Sequence, residues 1–144
     1  PMNLVYNVPT VLKLREAEGD IIGLNLDPSH VFFMGGDPIM MARKLCEEKA
    51  VYHVHGKDSH INAHIKGLDC YEQGAYNGPA VNRSWNYVAV GYGHDALWWK
   101  TFFAALAEGD YHGPVSIEVE DPLMPDNLVA IRKSAAFLHE TMLK

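Results

Sequence analysis

Three residues of metal-ligand type, Asp27, His55 and Glu118, each stand at or near the C-terminal end of a short β-like stretch. The stretches are Ile21 to Asp27, Val51 to His55 and Val115 to Val119. Two carboxylates and one imidazole make an oxygen-and-nitrogen donor set, which suits Mn²⁺, Mg²⁺, Co²⁺ or Zn²⁺ better than softer metals. Each residue also has an ordinary alternative. An aspartate at a strand end often caps the following helix or turn, a lone histidine is often a hydrogen-bonded core group, and Glu118 could pair with an arginine. Without a shared site, three separate coincidences would be needed.

Side chains alternate across a strand, so Asn25 and Asp27 share one face of the first stretch while Ile22, Leu24 and Leu26 share the other. His53 and His55 oppose Tyr52 and Val54, with His53 the deeper of the two, and Ser116 and Glu118 oppose Val115, Ile117 and Val119. Strands of a doubly wound sheet are covered on both faces and tend to read as continuous apolar runs. These read as half polar. A barrel explains the pattern: outer helices cover the apolar face, and polar residues point inward and gather at the mouth formed by the strand C-termini.

The elements that must position these residues follow from start and stop signals. Pro9 and Gly19 bracket a helix from Val8 to Glu18, and Asp37-Pro38 supplies an N-cap and first-turn proline for one running to about Lys49. Asp95 caps a helix from Ala96 to Glu108 that Gly109 ends. Its stripe of Trp98, Trp99, Phe102, Phe103 and Leu106 reads as core packing against a sheet. Asp126 opens a last helix marked by Leu128, Ile131, Ala135 and Leu138. Strands alternating with helices imply parallel pairing through right-handed crossovers. The stretch from Asp58 to Asp95 is longer than a structureless connection should be and reads as an active-site loop or lid, with Gly91-Tyr92-Gly93 a tight turn before the Asp95 cap.

With 144 residues and 48% hydrophobic content, the chain has enough material for one domain spanning 1–144. Its net charge of −6 argues against nucleic acid as a partner, which requires a basic face. Cys46 and Cys70 are too few for a disulfide scaffold. No apolar run approaches the roughly 20 residues of a membrane span, and Pro1-Met2-Asn3 carries no charged-then-apolar leader. The expectation is a soluble, cytoplasmic protein with no membrane partner.

Asp27-Pro28-Ser29-His30, His53-Val54-His55-Gly56-Lys57-Asp58 and Ser116-Ile117-Glu118 together resemble motifs of the sugar phosphate isomerase/epimerase family, the xylose isomerase-like TIM barrels. The similarity continues through Asn82-Arg83-Ser84-Trp85, Gly91-Tyr92-Gly93-His94-Asp95 and Glu118-Val119-Glu120-Asp121-Pro122. It covers nearly the whole chain but only the C-terminal half of the family's barrel. The resemblance implies an α/β fold, a partial (β/α)8 TIM barrel of three parallel strands with outer helices. It also implies that Asp27, His55 and Glu118 hold a divalent metal, that Glu118 and His30 are catalytic, and that His30, Lys57 and Arg83 bind substrate. The reaction it implies is isomerisation or epimerisation of a sugar, sugar phosphate or polyol by proton transfer through an enediolate, with dehydration of a cyclic polyol a close relative.

Two departures qualify the resemblance. Members usually carry a further Glu ligand on a preceding strand, before a segment like Pro1 to Asn7, and a full barrel has eight strands in about 250 residues. The expectation is therefore a truncated chain with open sheet edges. It would associate as a homo-oligomer or through those edges, or be a partner-dependent half-barrel without activity of its own. An endonuclease IV-like zinc nuclease acting at abasic DNA shares Asp27-x-x-His30, but it calls for Asp-x-His where this chain reads Asn82-Arg83-Ser84.

Overall fold

Side-chain caps decide where the helices of this chain begin. The computed structural model describes residues 3–71 and 78–142. In α1 (Val8–Glu18), Asn7 Oδ1 accepts the Thr10 backbone N–H while Thr10 Oγ1 accepts the Asn7 N–H, a reciprocal capping box. Asp27 caps α2 (Pro28–Met34) through the Ser29 N–H, and Asp37 caps α3 (Pro38–Glu47) through those of Ile39 and Met40. Asn62, Asp95 and Asp126 do the same for α4 (Ala63–Asp69), α5 (Ala96–Glu108) and α6 (Asn127–Thr141). Each cap gives an acceptor to N–H groups that have no partner inside the helix. The α2 helix was not among the expected elements, although Asp27-Pro28 carries the same cap-and-proline signature as Asp37-Pro38.

The strands are β1 (Leu24–Leu26), β2 (Val51–Gly56), β3 (Asp58–Ile61), β4 (Trp85–Val88) and β5 (Val115–Ile117). Three of them pair in parallel in the order β1-β2-β5, which brings their C-terminal ends to one edge of a single sheet. The first strand is shorter than the expected Ile21 to Asp27, and Ile21 is exposed. Strict alternation also fails at the start of β2. Leu24 lies opposite Val51 but Asn25 lies opposite His53, so Tyr52 is an extra residue in the pairing. This irregularity lets Val51 and Val54 both face the core although they are three positions apart, and it pushes Tyr52 outward, where its hydroxyl donates to the Asp20 carbonyl.

The apolar face of the sheet packs under α3, α5 and α6. Leu26 and Val54 meet Ala42, Leu45 and Cys46 of α3, the stripe Trp99, Phe102, Phe103 and Leu106 of α5, and Leu138 of α6. The aromatic stripe is therefore core, as its spacing predicts.

The stretch from Asp58 to Asp95 is not a single loop or lid. It contains β3, α4, a 3₁₀ turn at Ala80–Asn82 and β4, with residues 72–77 outside the described residues. β3 and β4 pair antiparallel from Asp58 opposite Val88 to Ile61 opposite Trp85. The polar Asp-Ser-His run of β3 gives no apolar alternation from which a strand could be read. The tight turn at Gly91 is present: Tyr92 N–H donates to Ala89 O at 3.0 Å, and Gly91 sits at φ +89°, where a side chain is disfavoured. Among the described residues, no helix is long and apolar enough to cross a membrane.

Candidate metal centre

The parallel sheet brings Asp27, His55 and Glu118 together. Asp27 follows the last residue of β1, His55 is the penultimate residue of β2, and Glu118 follows β5, its N–H reaching Gly56 O. One ligand atom from each lies within 4.8 Å of the others. His55 Nδ1 is 2.8 Å from Glu118 Oε2 and 3.3 Å from Asp27 Oδ2.

The outer atom of each group is held by the protein, and this aims the inner one. Asp27 Oδ1 accepts the Ser29 N–H at 2.9 Å and the Ser29 hydroxyl at 2.6 Å, so capping α2 fixes the direction of Oδ2. The capping oxygen and the oxygen facing His55 are thus the two oxygens of one carboxylate. Glu118 Oε1 accepts from Lys57 Nζ at 2.8 Å, leaving Oε2 toward His55. His55 Nε2 meets the Asn25 side-chain amide at 3.0 Å. Two half-buried carboxylates turned toward one imidazole nitrogen are the arrangement a divalent cation stabilises, and the mixed oxygen and nitrogen donors fit Mn²⁺, Mg²⁺, Co²⁺ or Zn²⁺.

A second layer surrounds these groups. Lys57 is almost wholly buried, pairs with Glu118 and with Glu120 Oε1 at 3.3 Å, and lies 4.1 Å from the centre of the Tyr87 ring. Burial works against its charge, but the Glu118 hydrogen bond and the Asp27 and Glu120 charges outweigh that and raise its pKa. The same bond from Lys57 holds the Glu118 carboxyl below its usual range against the opposing effect of burial. His30 Nε2 is 3.6 Å from Asp27 Oδ2, and its Nδ1 is 3.1 Å from the Tyr87 hydroxyl. Burial lowers the His30 pKa, with the nearby Asp27 charge pulling the other way.

Residues 1–141 match the sequence family of xylose isomerase-like TIM barrels. The chain belongs to that family. It is also 46% identical over 140 residues to a Bacillus subtilis (strain 168) protein named "Uncharacterized protein YfiH", an alignment covering 96% of this chain and 44% of that protein. The chain thus spans less than half the length of this relative.

Within this xylose isomerase-like half-barrel the other expected residues fall in different places. His30 lines a cleft with Asp27, Asn25, Tyr6 and Met34. Arg83 donates to Gly78 O through Nε and Nη2, and it lines another cavity, with Trp85, Asn86, Tyr87 and Glu120. His53 Nε2 lies 2.9 Å from Ser116 Oγ, one layer below His55. Asp58, which follows His55 in the family-like motif, is buried in the Gly91–His94 turn. Sequence reasoning gave no role to Ser29, Tyr87, Glu120 or the Asn25 amide. Only Asn25 had a visible signal, since it shares a strand face with Asp27; the others depend on β4, on the α2 cap and on the residues after β5.

Proposed function

We propose that the chain carries a divalent-metal centre for isomerising or epimerising a sugar, sugar phosphate or polyol by proton transfer through an enediolate. The observation that carries this reading is the convergence of Asp27, His55 and Glu118 at three adjacent strand ends, each with its outer atom anchored and its inner atom turned to the others. When bound, the metal supplies Lewis acidity toward a substrate carbonyl and its neighbouring hydroxyl. Glu118 takes the proton from one carbon and returns it to the next, the electron pair moving into the enediolate double bond and back. His30 Nε2 faces the same space, with Nδ1 backed by Tyr87, and orients or exchanges a hydroxyl proton. Lys57 keeps Glu118 ionised and fixed, and Arg83 contacts the more distant substrate hydroxyls. Cyclic polyol dehydration would use the same proton abstraction.

The test is calorimetric titration of the chelator-stripped chain with Mn²⁺ and then Zn²⁺, followed by a sugar and polyol screen with Glu118→Gln as control. Saturable one-to-one binding, with turnover lost in the variant, supports both metal and base. A fully active Glu118→Gln chain removes Glu118 as the base.

One observation favours a second, compatible reading. β1 and β5 stand at the two edges of the three-stranded sheet among the described residues, and exposed edges invite pairing. We propose association across them, with a second copy or with further barrel strands, and activity dependent on that partner. Sedimentation of the chain at several concentrations tests it: a monomer without turnover at all of them rules out self-association.

A further inference from the structure

A histidine that binds a cation through one ring nitrogen must carry its proton on the other, and the group facing that second nitrogen sets how readily it does so. In His55 the nitrogen turned toward the carboxylates is Nδ1, and the second nitrogen, Nε2, lies 3.0 Å from the side-chain amide of Asn25. Asn25 lies within β1 and Asp27 directly after it, and both side chains reach the His55 ring. Asn25 stands opposite His53 in the register, so its side chain reaches diagonally to His55 on the neighbouring strand. One short strand and the residue after it thus offer a candidate ligand and, two residues earlier, the contact behind its neighbour's candidate ligand.

We propose that Asn25 is a positioning residue of this centre, whose side-chain amide holds the His55 ring in place and partners Nε2 in the tautomer that leaves Nδ1 free for a divalent cation. The inference rests on the metal-centre reading above. A neutral imidazole has one proton. With that proton on Nδ1, it is given to Glu118 or Asp27, and Nε2 accepts from Asn25 Nδ2. With Nδ1 on a cation, the proton sits on Nε2, and Asn25 must present Oδ1 instead. The two ends of a primary amide are nearly equal in size, so a half-turn about the terminal torsion makes the exchange, and Asn25 is solvent-exposed with room to turn. Either way Nε2 keeps a partner. An asparagine can serve both states, whereas an aspartate can serve only the metal-binding one and a leucine neither.

The test uses Zn²⁺ as the probe. Calorimetric titrations of the chelator-stripped chain are compared for wild type, Asn25→Leu, Asn25→Asp and Asp27→Ala, with long-range ¹H–¹⁵N histidine spectra of the Zn²⁺-loaded forms. The expected result is a wild-type His55 bearing its proton on Nε2, a loss of about tenfold to a hundredfold in Zn²⁺ affinity for Asn25→Leu, and recovery in Asn25→Asp. Unchanged affinity in Asn25→Leu overturns the proposal. So does equal loss in Asn25→Leu and Asn25→Asp, which would mark a packing role instead. If wild type binds no Zn²⁺, or Asp27→Ala binds as well as wild type, the metal-centre reading itself fails and Asn25 loses its role with it.

Discussion

The buried Asp58 and the half-buried pair Asp27 and Glu118 are carboxylates that this chain treats in opposite ways. Asp58 is fully enclosed and met on every side. Its Oδ1 accepts the Ser59 N–H and faces His94 Nδ1, both at 2.8 Å. Its Oδ2 accepts the N–H groups of Gly91, Gly93 and His94 at 3.0, 3.1 and 3.0 Å, with Trp99 Nε1 at 3.4 Å. Asp27 and Glu118 are anchored only at their outer oxygens, and their inner oxygens converge on one imidazole nitrogen. A carboxylate whose lone pairs are met by fixed donors has a structural role. One held by half, with the other half turned toward a shared imidazole nitrogen, keeps lone pairs free, and on the proposed reading those are what a cation would take. Asp58 and His55 are three residues apart, so sequence proximity does not separate the roles; counting donors does.

That contrast is broken most severely at Asp58. Asp58→Ala leaves three backbone N–H groups of the Gly91–His94 turn facing a void, at a cost of roughly 3–5 kcal/mol, as for a buried ionic partner removed. Urea unfolding measures it, and a midpoint near wild type would show that water replaces the carboxylate. Gly93→Ala attacks the same hub from the other side. A Cβ there would stand 2.3 Å from Ser59 O and 2.6 Å from Asp58 Oδ1, and moving that backbone costs roughly 1–3 kcal/mol. Both changes should act on stability first.

At the proposed metal centre the expected order reverses. Asp27→Ala removes a helix cap, worth about 1 kcal/mol, and on the proposed reading should abolish saturable metal binding. Asp27→Ser keeps a capping oxygen while removing the inward one, so it should restore most of the stability and none of the binding. If Asp27→Ser binds Zn²⁺ like wild type, Asp27 is a cap and nothing more.

How much of this was legible in the sequence follows from the range of the interactions. The parallel sheet and its ligand-type residues could be read because period-two patterning and cap signals are local. The caps at Asp37, Asp95 and Asp126 are each visible within four residues. The α2 helix follows the same rule, and a reading of Asp27 as either ligand or cap hides it: Oδ1 makes the cap while Oδ2 stays turned to His55. The Tyr52 irregularity could not be read from one strand alone, since it exists only in the pairing with β1. The β3–β4 pairing and the Asp58 hub are hidden for a related reason: they rest on partners some 24 or more residues away, as in Ile61 opposite Trp85 and the Gly91 and Trp99 bonds to Asp58. Tyr87 behind His30 is farther still, 57 residues along the chain.

The smallest expected effect lies between the two groups, at Lys57. It is buried like Asp58, yet its partners Glu118 and Glu120 are partly open to water, which compensates much of the loss when it is replaced by an apolar side chain of similar length. Lys57→Met should therefore change stability modestly at neutral pH, and the pH dependence identifies the cause. The Glu118 pKa is lowered in the folded chain, so its contribution is present above the ordinary carboxylate pKa of about 4.3 and is lost as pH falls through the lower folded value. The Lys57 pKa is raised, so its contribution is present below about 10.4 and is lost as pH rises through the higher folded value. The gap between wild type and Lys57→Met should be widest from about pH 5 to 10 and narrow on both sides. Denaturant midpoints across that range read it directly. A gap that stays constant from acid to alkali would mean Lys57 contributes packing against Tyr87 rather than charge, and would leave Glu118 held in place by His55 alone.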